Sequence, residues 1–144
     1  MRPARFLIPS ALLAILSAST AACADDLPGP ADQAAIKGVI NDQLQAFKSG
    51  DAVAAESFAS AGIREKFPDP AAFLGMVRQA YGALVGPRSF RFGELSQTPL
   101  GLVQKLTVVD SAGAVWTAAY TMTFVDGQWR ISGCYMLKSE AVDA

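Results

Sequence analysis

Apolar residues recur at spacings of three and four through "DQAAIKGVINDQLQAFKSGD", where Ile36, Val39, Ile40, Leu44 and Phe47 form one stripe. That period is the mark of an amphipathic helix. Asp32 is placed to cap its start, and Gly50 sits where a helix end favours a left-handed residue. Asp51 caps a second short helix, Ala52 to Ala59, with Val53, Ala54 and Phe58 turned inward. "SAGIREKFPDP" reads as a connector with one helical turn at Ile63–Phe67. Asp69 followed by Pro70 is an N-cap and first-turn pair that opens a third helix. Phe73, Leu74, Val77, Tyr81 and Leu84 supply its buried stripe, and Gly86-Pro87 ends it.

From Arg88 the period drops to two, and strands are predicted at 88–95, 102–110, 114–125 and 128–138. Asp126-Gly127 is a two-residue type I′ turn signal, which pairs Val125 with Gln128. Counting outward pairs Phe124 with Trp129, Met122 with Ile131, Tyr120 with Gly133, Ala118 with Tyr135 and Trp116 with Leu137 on one face. The other face then holds Thr123/Arg130, Thr121/Ser132, Ala119/Cys134 and Thr117/Met136. One apolar and one mostly polar face describes a half-covered antiparallel sheet. The expected fold is α+β, three N-terminal helices packed on a four-stranded antiparallel sheet.

The N-terminus carries a different signal. Arg2 and Arg5 precede an apolar run from Phe6 to Leu16, and Ala22-Cys23-Ala24 forms a cleavage site between Ala24 and Asp25. The run is short of the ~20 residues that cross a bilayer, and Pro9 interrupts it. The expectation is export to the periplasm or medium, with no stable membrane insertion after cleavage. The alternative is a lipoprotein acylated at Cys23, which Ala22 favours and Thr20 disfavours. The chain then divides into a signal peptide (1–24), a tether (25–31), one domain (32–140) and a tail (141–144).

Removing residues 1–24 leaves 120 of the 144 residues, with 10 basic against 13 acidic side chains. That is enough chain for one core, and its mild acidity excludes the basic footprint of a nucleic-acid binder. Cys134 is left as a single cysteine, so the domain rests on its core without an internal disulfide. The sequence contains no histidine, which excludes Ser-His-Asp, Cys-His and histidine-ligated zinc schemes. Scattered carboxylates and the absence of glycine-rich phosphate loops leave no metal or cofactor expected.

Several segments carry a family resemblance: "IKGVINDQLQAFKSGDAVAAESFASAGIREKF" (36–67), "FLGMVRQAY" (73–81), "RSFRFGEL" (88–95), "YTMTF" (120–124) and "GQWRISGCYML" (127–137). Together they resemble the bacterial domain of unknown function 4864. Helices followed by a four-stranded sheet resemble the cone of the nuclear transport factor 2-like (cystatin-like) superfamily. The resemblance implies a curved sheet with a long helix across it and a pocket between them. It carries no assigned activity. The wider superfamily includes isomerases and dehydratases that pair an Asp or Glu base with tyrosine hydroxyls.

By strand parity Phe90, Phe92 and Glu94 point to that pocket, as do Gln104, Trp116, Tyr120, Gly133 and Tyr135, with Tyr81 arriving from the third helix. No catalytic residue is assigned. The first reading is a non-enzymatic module that binds a small apolar ligand or a protein partner. The second is a histidine-free isomerase- or dehydratase-like enzyme that uses Glu94 with tyrosine hydroxyls. The third is a homodimer through the polar sheet face. Cys134, placed on that polar face and without a base, reads as structural.

Overall fold

Pro30 opens the first helix, and the computed structural model describes residues 27–139. The expected signal peptide (1–24) with Cys23, the cleavage point at Ala24 and Asp25, and the whole tail (141–144) lie outside that range. Helix α1 (Pro30–Ser49) starts two residues before Asp32, because the fixed φ of Pro30 suits the first helical position after Gly29. Asp32 therefore sits in the first turn instead of capping it, and its Oδ1 accepts a hydrogen bond from Trp129 Nε1 at 3.2 Å. Gly50 closes the helix with φ 73°.

Helix α2 (Ala52–Ser57) is capped by Asp51, whose Oδ1 accepts from the Ala54 N–H at 3.1 Å. Val53 was expected to face inward and is instead 71% exposed. In so short a helix the inward line runs through Ala52, Ala55 and Ala59, and Val53 lies one step around from it. The connector turn is a short helix of its own, α3 (Ala61–Arg64). Helix α4 (Pro70–Ala80) is capped by Asp69, whose Oδ1 accepts from Ala72 N–H at 2.8 Å. A single 3₁₀ turn at Gly82–Leu84 follows.

Four strands complete the domain: β1 (Ser89–Thr98), β2 (Gly101–Val109), β3 (Val115–Val125) and β4 (Gln128–Lys138). They form one antiparallel sheet in the order β1-β2-β3-β4, which leaves β1 and β4 as its edges. Asp126 and Gly127 have φ of 52° and 75°, the two positive values a type I′ turn demands. Pairing follows the simple count from Val125–Gln128 to Met122–Ile131. There Ser132 enters as an extra residue, and beyond it Thr121 faces Gly133, Tyr120 faces Cys134, and Ala119 faces Tyr135. This β-bulge moves every later β4 side chain to the opposite face.

A second bulge lies in β1. Phe92 faces Leu106 and Leu95 faces Gln104, so Gly93 and Glu94 together oppose Lys105. Helix α1 crosses the inner face of the sheet: its Asp32 meets Trp129 on β4, and Lys37 stands over the Phe92 ring on β1 at 5.8 Å. Beneath it Ile36, Ile40, Leu106, Val108 and Ala118 have no exposed surface. Each large aliphatic side chain buried this way contributes roughly 1.5–3 kcal/mol. No helix among the described residues is long and apolar enough to cross a membrane.

Candidate functional site

Beside the β4 bulge a half-open cavity of about 350 Å³ lies between the C-terminal part of α1, α3, α4 and the last strand. The rim is set by backbone contacts. Ile131 N–H donates to Phe58 O at 2.9 Å, and Ser60 N–H donates to Ile131 O at 2.8 Å. This short parallel bridge through Ala59 brings Ile63, Lys66 and Phe67 to the mouth. Across from them α4 presents Met76 and Val77. Tyr81, just past the end of α4, donates its hydroxyl to Cys134 O at 3.2 Å and ties that helix to β4.

The floor is Tyr120 and the strand opposite it. Gly133 follows the bulge with no side chain, because a Cβ there would lie 2.6 Å from Thr121 Oγ1. Ser132 Oγ donates to Thr121 O at 3.1 Å and holds the bulge. Cys134 then falls opposite Tyr120 on the inner face, which reverses its expected place opposite Ala119. Burial pushes its thiol up to about 12. The Tyr120 phenol is raised well above its ordinary value by burial and then by Cys134. Burial, Cys134 and Tyr135 raise Tyr81 in the same direction. At neutral pH the thiol and both phenols are uncharged. The Tyr120 hydroxyl is shielded from solvent and has no hydrogen-bond partner.

Of the residues anticipated for a pocket, Tyr81, Tyr120, Gly133 and Tyr135 border this cavity. Tyr135 does so from the outer-face register, where it is 56% exposed, instead of facing inward opposite Ala118. The other five lie elsewhere. Phe90 and Phe92 form an edge-to-face pair 6.1 Å apart under α1. Gln104 is fully buried and its Nε2 donates to Gly93 O at 3.0 Å and Lys105 O at 2.9 Å, bracing the β1 bulge. Trp116 Nε1 donates to Asp110 Oδ2 at 2.9 Å at the β2–β3 turn.

Glu94 is the consequential displacement. The β1 bulge throws it onto the outer face, where its side chain is 69% exposed and lies 4.0 Å from Lys105 Nζ. None of the residues lining the cavity is an aspartate, glutamate or histidine. No group of three or more metal-ligating side chains gathers among the described residues. The arrangement can enclose an apolar body and offer a few neutral donors, with Lys66 as a cation at the mouth.

Sequence reasoning passed over Ile63, Lys66, Phe67, Met76 and Cys134. The first three stand in a connector whose period is too short to declare a face, and Cys134 was lost to the bulge.

Comparison with known proteins bears on fold and family. In its fold the chain is similar to an NTF-2-like protein of unknown function from Silicibacter pomeroyi DSS-3, with a TM-score of 0.54 and 18% identity over 78% of this chain and 100% of that one. At that identity the likeness speaks for the α+β fold alone. Among curated proteins none matches. The family model described as "Domain of unknown function (DUF4864)" matches residues 30–144, from the first turn of α1 through the whole sheet. That match covers every helix and strand of the domain, and the chain belongs to the DUF4864 family.

Proposed function

We propose that this is an exported, non-enzymatic module that binds a small apolar molecule in the cavity beside β4. The observation that carries the reading is a half-open space of about 350 Å³ walled mainly by apolar side chains and without a carboxylate or imidazole. Pockets for small ligands have this volume and character. The enzyme alternative needs a base beside the tyrosines, and Glu94 stands on the other side of the sheet.

A two-dimensional NMR titration with decanol tests it. Shifts should concentrate at Val77, Tyr81 and Cys134, and Ile63→Trp, which fills the mouth, should abolish them. Shifts confined to other surfaces, or none, would sink the reading. Export is supported by Arg2, Arg5, the apolar run and the Ala22-Cys23-Ala24 site. Mass spectrometry of the processed protein should give Asp25 as its first residue, whereas an acyl group on Cys23 would overturn soluble export.

A second reading concerns the outer face. The β4 bulge turns Tyr135 and Leu137 outward, and they stand with Val115 around Thr117 and Ala119, with Leu137 66% exposed. A self-complementary stripe of this kind suits a two-fold pairing of sheets. Sedimentation equilibrium should then show a dimer that Leu137→Lys dissociates. A monomer at all concentrations would exclude it.

A further inference from the structure

We infer that the cavity selects an apolar molecule carrying one anionic group, a medium-chain or aryl carboxylate, with its head at Lys66 and its body over Tyr120. This rests on the binding reading above and adds the chemistry of the ligand.

An inventory of the polar side chains around the cavity supports the assignment. Gln43 Nε2 donates to Ala55 O at 3.1 Å, Tyr81 to Cys134 O, and Ser132 to Thr121 O. Each of these donors is already used in holding the walls together, and Tyr135 belongs to the outer-face register, where it is 56% exposed. The Tyr120 hydroxyl is shielded. Lys66 is different: among the described residues its ammonium makes no hydrogen bond, and the ion pair present joins Lys105 to Glu94 elsewhere. It is also the one basic side chain of the lining, which holds no aspartate or glutamate.

Position matters as much as charge. Lys66 is exposed at the rim, while the interior beyond Phe67 and Val77 is apolar. A charged group cannot be drawn into such an interior without a partner, so an amphiphile enters tail first and leaves its head at the mouth. A cation there would meet Lys66 with no acidic side chain in the lining to offset it. At the ~30 Å³ that a water molecule occupies in the liquid, the volume holds about a dozen non-hydrogen atoms. Decanoate is of that size.

Calorimetric titrations of the full domain with decanoate, decanol and decyltrimethylammonium separate the terms. Decanoate should bind about fivefold more tightly than decanol, the range an exposed ion pair reaches, and the ammonium more weakly than either. Lys66→Gln should bring decanoate to the level of decanol and leave decanol unchanged. Lys66→Glu should reverse the preference in favour of the ammonium. Lys66 is exposed, so both variants should fold, and circular dichroism checks this. Equal binding of decanoate and decanol, insensitive to Lys66, would overturn the anionic ligand and leave the cavity reading standing. Failure of all three probes to bind would overturn both.

Discussion

Gly133 stands so close to Thr121 across the β3–β4 ladder that a Cβ on it would lie 2.6 Å from Thr121 Oγ1. The contact falls one residue past the bulge and fixes which way β4 turns. Gly133→Ala should therefore destabilise the domain by about 1–3 kcal/mol, the usual cost of overpacking. In a Thr121→Ala background most of that loss should disappear, because the two sites share one space. Denaturant titrations of the four proteins give the coupling. Strictly additive losses would mean the two residues do not meet.

Cys134 should be a poor nucleophile. Its thiol is held up to about 12 from an ordinary 9.0 by burial, so the folded protein keeps the proton after the unfolded chain has lost it. Stability is then fully present below pH 9 and declines as pH rises through the folded value. At pH 8 a maleimide should label the native thiol at least ~100-fold more slowly than the urea-unfolded one. Cys134→Ala should remove this part of the alkaline decline. Native labelling as fast as unfolded labelling would contradict the inward placement.

Tyr120→Phe should raise stability or leave it unchanged. The residue is 1% exposed and its hydroxyl has no partner, and an unsatisfied buried hydroxyl costs about 1–3 kcal/mol. Thermal and denaturant unfolding would show the gain. A loss of more than about 1 kcal/mol would reveal a hydrogen bond that the ring makes in solution.

The turn between β2 and β3 gives the acid response. Asp110 is lowered below its ordinary 3.8 chiefly by the Trp116 indole N–H, then by the Ala114 N–H. A depressed carboxylate contributes stability that is present above 3.8 and lost as pH falls through the folded value. Asp110→Asn should flatten the acid limb of the melting-temperature profile, and Trp116→Phe should do the same in part. An acid limb unchanged in both variants would assign the effect to other groups.

Much of this fold is legible in the chain, and the strand faces that are not share one physical cause. The α1 stripe, the Asp51 and Asp69 caps, the left-handed Gly50 and the Asp126-Gly127 turn each depend on a few adjacent residues. Local signals of that kind survive folding. Strand faces depend on an unbroken count, and one extra residue reverses everything after it. Ser132 does this to Cys134 and Tyr135, and the Gly93-Glu94 pair does it to Glu94. A glycine next to each irregularity, Gly93 and Gly133, was the available hint. Parity did not locate the cavity by itself: Tyr120 borders it, whereas Phe90, Phe92, Gln104 and Trp116, equally clear of the bulges, lie elsewhere on the sheet.

Both bulges lie on edge strands, one in β1 and one in β4, and this has a bearing on self-assembly into fibrils. A straight edge offers a continuous ladder of free N–H and C=O groups to any passing extended chain. Here β4 has its first stretch taken by the Phe58–Ser60 bridge and Cys134 O taken by Tyr81, while β1 is kinked at Gly93. Neither margin presents an uninterrupted template. The irregularities that shift the register of the sheet also keep its borders from recruiting further strands, so straightening either one should cost solubility before it costs the fold.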